Sequence, residues 1–179
     1  MRMIQQMISW LPQLLNGAKI TILLTLCAVS MGLLLSIFLA LGKMSKNKIL
    51  SGICSVYIFF FRGTPLLMQL YFIYFGLPQI NMALTINSRF FAAFLAFSLN
   101  SAAYCSEFIR AAIQSIDRGQ FEASKALGLS KAQTMQLVIF PQSIRRLVPS
   151  VANEFIMVLK DASLVSIIAL ADLTKVTRA

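Results

Sequence analysis

The 179-residue sequence has no histidine, few acidic residues and no recognisable catalytic motif. Only 12% of its residues are charged, and six of them are acidic. It contains no G-x-x-x-x-G-K-[ST] phosphate-binding loop, no Cys/His metal cluster and no serine-based triad. We therefore expect a chain that does not hydrolyse ATP and holds no metal or cofactor of its own.

Cysteine is also scarce. Cys27, Cys54 and Cys105 each lie in an apolar run without the spacing of metal ligands. Isolated cysteines of this kind usually behave as small buried hydrophobic side chains. We expect no disulfide.

Apolar residues make up most of the chain. Hydrophobic residues account for 58% of the sequence, and the mean hydropathy is +0.78, more than a soluble domain of this length usually carries. The expected solvent is a lipid bilayer. The formal net charge of +10 does not predict a nucleic-acid partner, because no compact basic patch accompanies stacking aromatic residues.

Four apolar stretches predict an all-α integral membrane protein, a multi-span helical bundle. The clearest span is 20–42, which is uncharged between Lys19 and Lys43 and matches the roughly 20 residues that a helix needs to cross a bilayer. The other spans are expected at about 53–76, 89–109 and 147–173.

Three local features refine this picture. Residues 3–15 are interpreted as an amphipathic helix at the membrane interface, with Trp10 as its anchor. Pro65 should kink the second span, and Thr64 or a neighbouring helix would satisfy the carbonyl that the proline frees. The third span should be buried because it is rich in small residues that permit close helix packing: Ala92, Ala93, Ala96, Ser98, Ser101, Ala102 and Ala103.

The distribution of basic residues predicts the orientation. The 43–48 loop and the 110–146 segment carry most of the lysine and arginine between spans, and the 76–88 loop carries none. By the positive-inside rule, both basic segments should be cytoplasmic and the N-terminus should be outside.

The 110–146 segment is the one long stretch of soluble character. Phe121 to Leu127 has helical composition, Gly128 can end that helix in a left-handed cap, and Ser130 can begin a second helix that stops at Pro141. This pattern predicts a short cytoplasmic helix-turn-helix. A partner-binding element and a plain interfacial loop would both show it.

The same segment resembles a known family. Glu122-Ala123-Ser124, Gly128 and Ile139-Phe140-Pro141 are similar to the "EAA" loop of ABC-importer permeases, with Ser124 at the third position of the pattern. Two further stretches resemble the branch that takes up polar amino acids of the histidine, glutamine and arginine type: Phe61 to Gln69 followed by Tyr71 to Pro78, and Lys160 to Ser166 followed by Ala171 to Leu173.

The resemblance implies a permease subunit of an ATP-driven importer in the bacterial inner membrane. It implies three kinds of protein partner: a cytoplasmic dimer of ATP-binding subunits that holds ATP and Mg, a second copy or a homologous permease, and an extracytoplasmic amino-acid-binding protein. It also implies a fifth span, so that 179 residues with four spans are expected to be either a fragment or a short variant. The residues expected to dock the ATPase are Glu122, Ala123, Ser124, Ala126, Leu127 and Gly128.

Ionisable residues inside the predicted spans indicate a polar site. Each costs roughly 2.5–3.5 kcal/mol at the centre of a membrane helix, so such residues usually pair or line a polar path. Lys160 and Asp161 fall in the fourth span, and Asn100 and Glu107 fall in the third. They can form either an internal lysine–carboxylate pair that joins two helices or a substrate site.

The substrate-site interpretation assigns a role to each residue. Lys160 and the backbone amides near Ser163 would take an α-carboxylate at the start of a half-helix. Asp161 and Glu107 would take the ammonium group or a cationic side chain. Asn100 would add a hydrogen bond, and Leu67 would form an apolar wall.

Two further charged residues and two further functions remain open. Arg62 is interpreted either as a polar contact in the path or with a second subunit, or as a side chain that reaches to the cytoplasmic interface. Glu154 is expected to balance Arg145 or Arg146. The alternative functions are an ion-gradient-driven secondary transporter, which would need internal repeats that the sequence does not show, and a non-transporting membrane scaffold.

Overall fold

The computed structural model describes residues 2–168, and this part of the chain is built from helices without any strand. The all-α prediction is confirmed. The end of the predicted fourth span and the Ala171 to Leu173 motif lie outside the described residues. The elements are α1 (Arg2–Lys43), α2 (Lys48–Gly63), α3 (Leu66–Tyr71), a π-helical turn (Phe72–Gly76), α4 (Leu77–Ile80), a 3-10 turn (Met82–Leu84), α5 (Arg89–Gln114), α6 (Arg118–Ala126), α7 (Lys131–Gln133), a π-helical segment (Thr134–Ile139), α8 (Phe140–Asp161) and a 3-10 segment (Ala162–Ile168).

The first helix joins two elements that the sequence predicts as separate. Residues 3–15 and 20–42 are parts of α1, which continues without a break through Pro12 and on to Lys43. In the structure, residues 3–15 are therefore the first part of a longer helix rather than a separate element. A proline is tolerated inside an apolar helix where neighbouring groups satisfy the backbone carbonyl that it leaves without a donor.

Apolarity alone identifies fewer spans than the four predicted. Within residues 2–168, Leu14–Lys43 is the one helix long and apolar enough by itself to cross a membrane. The bent pair Lys48–Gly63 and Leu66–Ile80 would be a second if it forms one span. Helices α5 and α8 fall short because serine, asparagine and charged residues dilute their apolar runs.

The second predicted span, 53–76, is broken rather than kinked. The helix axis turns by 103° at the break around Pro65. Thr64 Oγ1 donates to the carbonyl of Phe60 at 2.8 Å, and Gln69 Nε2 donates to the carbonyl of Phe61 at 2.9 Å. The expected position of the bend is confirmed, and of the two expected donors it is a neighbouring helix, through Asn100 at 3.0 Å, together with Gln69, that bonds the Phe61 carbonyl freed by Pro65. The bend is much larger than a proline kink because two residues separate the helices.

Close packing between α1 and α5 forms the centre of the fold. The small residues of the third predicted span are all buried, as the sequence predicts. A Cβ added at Gly32 would lie 2.9 Å from the Cβ of Ser101 and 3.2 Å from the backbone nitrogen of Ala102. The two helix backbones can approach this closely because the residues at the contact are small.

Helices α1 and α5 run parallel. Gly32 meets Ser101, and eleven residues further along α1 the Nζ of Lys43 lies 2.7 Å from Glu107 Oε1. The C-terminal ends of both helices are therefore on the same side of the bundle. This places the 43–48 loop and the 110–146 segment together, as the predicted orientation requires.

The 110–146 segment contains the predicted turn between two helices. Gly128 has a φ of 76° and ends α6 in the left-handed region. Ser130 Oγ accepts a hydrogen bond from the backbone N–H of Gln133, whose side chain accepts one in return from the N–H of Ser130. Both predicted caps are confirmed, because each depends on local chemistry.

The second helix does not stop at Pro141. The chain passes through the π-helical segment Thr134–Ile139 and continues into α8, with Pro141 in its first turn. Proline has no N–H to donate, and a wider turn, in which the Phe140 N–H bonds the Met135 carbonyl, carries the helix to it. The predicted stop is replaced by a change in helix geometry.

The contact at Gly32 yields a stability prediction. We expect Gly32→Ala to destabilise the protein by about 1–3 kcal/mol, because the added methyl group meets a backbone and a short side chain that cannot turn away. The matched control is Gly52→Ala, where nothing lies within 4 Å of the added atom and the gain in helix propensity is favourable. Thermal unfolding of the purified protein in detergent measures both, and equal melting temperatures would contradict the packing.

Candidate functional site

A cleft of about 420 Å³ opens beside the break between α2 and α3. Three parts of the chain meet there: the break itself, the middle of α5 and the C-terminal half of α8. The lining combines apolar side chains with four charged or amide groups. The lining residues are Arg62, Gly63, Thr64, Pro65, Leu66, Leu67, Asn100, Tyr104, Glu154, Met157, Val158, Asp161 and Leu164.

Asn100 is the residue that ties α5 to the broken helix. Its Nδ2 donates to the carbonyl of Phe61 at 3.0 Å and to Oε1 of Gln69 at 3.1 Å. Gln69 in turn is buried and caps the end of α2. These bonds use the donors of the Asn100 amide, and within residues 2–168 its oxygen accepts no hydrogen bond.

Three of the six predicted substrate-binding residues line the cleft together. These are Leu67, Asn100 and Asp161. Lys160 and Ser163 are exposed and are not among the lining residues. Neither residue joins Asp161 in the lining of the cleft. Lys160 lies on a different face of α8, and Ser163 belongs to the following 3-10 segment.

Glu107 lies in a separate ion cluster. Its carboxylate is 2.7 Å from Lys43 Nζ and 2.6 Å from Arg110 Nη2. The sequence suggested Lys160 as the partner in an internal lysine–carboxylate pair. The structure shows such a pair, but Lys43 supplies the lysine and the pair joins α1 to α5.

Glu154 is the site residue that sequence reasoning missed. It is only 3% exposed and lines the cleft two helical turns before Asp161. The hydroxyl of Ser101 faces its carboxyl group. The expected balance with Arg146 is wrong, because Arg146 instead donates to the carbonyl and hydroxyl oxygens of Ser115. The seven-residue spacing from Asp161, which places both acids on one helix face, was the available signal.

Arg62 lies between the cleft and the ion cluster. Its Nη1 is 4.0 Å from Glu107 Oε2, and its Cζ is 5.1 Å from the centre of the Tyr104 ring. Gly63 and Tyr104 line the cleft beside it. Arg62 itself lines the cleft, and which of its two interpretations holds stays a prediction.

The predicted docking residues form an exposed knob at one end of the bundle. Leu127 is 80% exposed, although it is a large apolar side chain. Ser124 is the exception in the set, since it is buried and its Oγ donates to the carbonyl of Gln120 at 2.6 Å. The exposed members are Glu122, Ala123, Ala126, Leu127 and Gly128.

Comparison with known proteins identifies the family. Residues 32–178 match the binding-protein-dependent transport system inner membrane component. The chain belongs to this family. It is therefore a membrane permease component of a transport system, and its helices form a membrane-spanning bundle although few of them are apolar enough to show it alone.

Two bacterial permeases show how closely the family members agree. An arginine transport system permease protein of Bacillus subtilis strain 168 is 41% identical over 165 residues, covering 92% of this chain and 74% of that protein. An L-cystine transport system permease protein of the same organism is 42% identical over 165 residues, covering 92% of this chain and 69% of its own length.

A solved structure agrees at the level of the whole fold. The crystal structure of an amino acid ABC transporter with histidines contains a chain that superposes with a TM-score of 0.90 at 44% identity, covering 96% of this permease and 78% of that chain. The order and packing of the helices described above are thus those of a known ABC permease.

The ion pair between α1 and α5 yields a prediction about coupling. Lys43→Gln and Glu107→Gln should each lower the free energy of unfolding of the permease. Because the two residues share one contact, the loss in the double variant should be smaller, by roughly 1–2 kcal/mol, than the sum of the two single losses. A double-mutant cycle on thermal unfolding measures this. Lys46→Gln, an exposed lysine in the same loop, is the matched control and should add to Glu107→Gln without coupling.

Proposed function

We propose that this permease forms part of the path for a polar amino acid in an ATP-driven importer, with the substrate bound in the cleft. The observation that carries the proposal is the pairing of buried Glu154 with Asp161, opposite Asn100, at a broken helix. Carboxyl groups in this setting are costly unless a cation or a hydrogen-bond donor joins them. An α-ammonium group supplies both.

The cleft has the polar and apolar parts that such a ligand needs. Glu154 and Asp161 take the ammonium group, and the free amide oxygen of Asn100 accepts a hydrogen bond from it. Leu67 faces the aliphatic part of the substrate. The relatives named for arginine and L-cystine transport, and the amino acid transporter of similar structure, support a substrate of this class.

A dimer of cytoplasmic ATP-binding subunits, holding ATP and Mg, would dock on the exposed knob around Leu127. An apolar side chain that is 80% exposed is suited to fill a groove on a partner. Glu122, Ala123, Ala126 and Gly128 surround it, and the left-handed Gly128 lets a partner backbone approach. Ser124 holds the knob's own helix together instead.

The knob is attached to the helices that line the cleft. Ile113, Ile116 and Ile139 form a small buried cluster between α5 and the segment before α8. Arg146 of α8 binds Ser115 at the end of α5. A force applied at the knob would therefore reach α5 and α8 as a rigid-body movement, which is how alternating access is coupled to a partner.

The remaining partners follow from the same assignment. A second copy or a homologous permease would complete the path, and an extracytoplasmic amino-acid-binding protein would deliver the substrate. The N-terminus would lie outside the inner membrane, with the knob in the cytoplasm.

Two variants should lose amino-acid uptake for different reasons. Asp161→Asn should lower uptake at least about tenfold, by removing a charged partner of the ammonium group, and should leave the ATPase subunits bound. Leu127→Asp should abolish uptake by releasing the ATPase subunits. Uptake of labelled arginine, cystine and glutamine into vesicles with a binding protein, together with co-purification of the ATPase, separates the two effects.

Met82→Asp is the matched control for the docking variant, because Met82 is 81% exposed and lies in the loop at the other end of the bundle. It should keep both uptake and ATPase association. Full uptake by Asp161→Asn and by Glu154→Gln would remove the cleft from the transport path, and retained ATPase association in Leu127→Asp would remove the knob as the docking site.

A further inference from the structure

A second cavity, of about 330 Å³, lies next to the cleft on the side of α2 that faces the end of α1. Two basic side chains, one hydroxyl group and two apolar side chains line it, and none of the lining residues is acidic. The lining residues are Lys43, Ser55, Ile58, Phe59, Arg62 and Gly63. This composition suits an anion that carries an apolar part.

The ion cluster beside this cavity has more positive than negative charge. Glu107 is bound by Lys43 at 2.7 Å and by Arg110 at 2.6 Å, and Arg62 Nη1 lies 4.0 Å from the same carboxylate. One carboxylate thus faces three cations, and two of these cations line the cavity. The excess charge favours an additional anion at this position.

Lys43 and Arg62 also have hydrogen-bond donors to offer. Within residues 2–168, the ammonium group of Lys43 donates one hydrogen bond, to Glu107, and the guanidinium of Arg62 donates none. An ammonium has three donors and a guanidinium has five. Both side chains are accessible, at 27% and 42% exposed. The oxygens of a phosphate group match such a pair of cations.

The apolar part of the cavity continues onto the exposed surface of α2. Phe59 lines the cavity and is 80% exposed, and Val56 and Ile53 are 69% and 64% exposed. Their three-residue spacing makes them neighbours on the helix surface. In a membrane, acyl chains can cover such a surface. A phosphate group that carries an acyl chain therefore fits the cavity better than a free phosphate ion.

The cavity lies at the boundary of the membrane. Lys43 is the last residue of Leu14–Lys43, the helix that is apolar enough by itself to cross a bilayer. Lys46 and Lys48 follow it and are exposed. The orientation proposed above places this end of the bundle on the cytoplasmic side. Basic pockets between membrane helices at this level are suited to the head groups of anionic lipids.

We propose that this cavity binds an anionic phospholipid, with Lys43 and Arg62 on its phosphodiester and Phe59 against an acyl chain. The proposal takes the orientation from the proposed function, but it does not depend on which solute is transported. Lys43 ends α1, and Arg62 lies in the last turn of α2. The bound lipid connects the ends of these two helices, directly before the break.

Three probes separate the phosphate, the net charge and the acyl chain. Dioleoylphosphatidylglycerol carries all three features, dioleoylphosphatidylcholine has the same chains and phosphate without net charge, and inorganic phosphate has no chain. Each is titrated onto the purified permease in detergent, and native mass spectrometry measures the bound fraction. We expect the phosphatidylglycerol to bind at least about fivefold more tightly than the phosphatidylcholine, because two cations favour a net negative charge. Inorganic phosphate should not compete with it at equal concentration.

Two variants should weaken the phosphatidylglycerol selectively. Arg62→Gln and Lys43→Gln should each lower its affinity about tenfold, which is the strength of a hydrogen bond between charged groups, and should change phosphatidylcholine less. Lys46→Gln, an exposed lysine in the adjacent loop, is the charge-matched control and should change neither lipid by more than about twofold. Arg62→Lys guards against misfolding, because it keeps the charge without the fork and should retain most of the preference for phosphatidylglycerol.

Equal affinity of the unaltered permease for the two lipids would overturn the proposal, and so would unchanged phosphatidylglycerol binding in Arg62→Gln. An equal loss in Lys46→Gln would show attraction by the basic surface as a whole and would also overturn it. Competition by inorganic phosphate at equal concentration would show a site for a free anion instead of a lipid. Lipid binding is measured without transport, so a failure of amino-acid uptake would count against the proposed function alone.

Discussion

The architecture depends on the contact between α1 and α5. Inside a bilayer the hydrophobic effect does not drive helices together, so close packing must hold them. Gly32 meets Ser101 so closely that a single added carbon would clash. Next to this contact on α5, Asn100 bonds the broken helix and the hydroxyl of Ser101 faces Glu154 of α8.

The charged residues of this bundle form two neighbouring groups whose net charges have opposite signs. The cluster around Glu107 has more cations than anions, and the cleft beside it has more carboxyl groups than cations. Arg62 belongs to both. An amino acid, which carries both signs, is a ligand that such a boundary can recognise. The helices that form it, α5 and α8, are joined along the chain by the segment that contains the exposed knob around Leu127.

Much of the fold could be predicted because its causes are local. Gly128 and Ser130 terminate helices through their own backbone and side-chain chemistry, and Pro65 marks the break in the same way. The burial of α5 follows from its run of small residues. The extent of the break, 103°, and the π-helical passage before Pro141 did not follow from the sequence, because both depend on how neighbouring helices satisfy the freed backbone groups.

The site was only partly predictable for a related reason. Leu67, Asn100 and Asp161 were found from residue type and position in the spans. The partner of Glu107 is 64 residues away at Lys43, and no local pattern indicates it. Sequence distance pairs Glu154 with the neighbouring arginines, whereas the helix turns it into the cleft.

The central claim is that a cytoplasmic knob between the third and fourth membrane spans transmits the movement of docked ATPase subunits to the cleft. Its most direct test is the sidedness of Leu127→Cys in a chain whose native cysteines are replaced, labelled with a membrane-impermeant maleimide. The account predicts labelling in inside-out vesicles and none in intact cells. Labelling in intact cells would place the knob outside and contradict it.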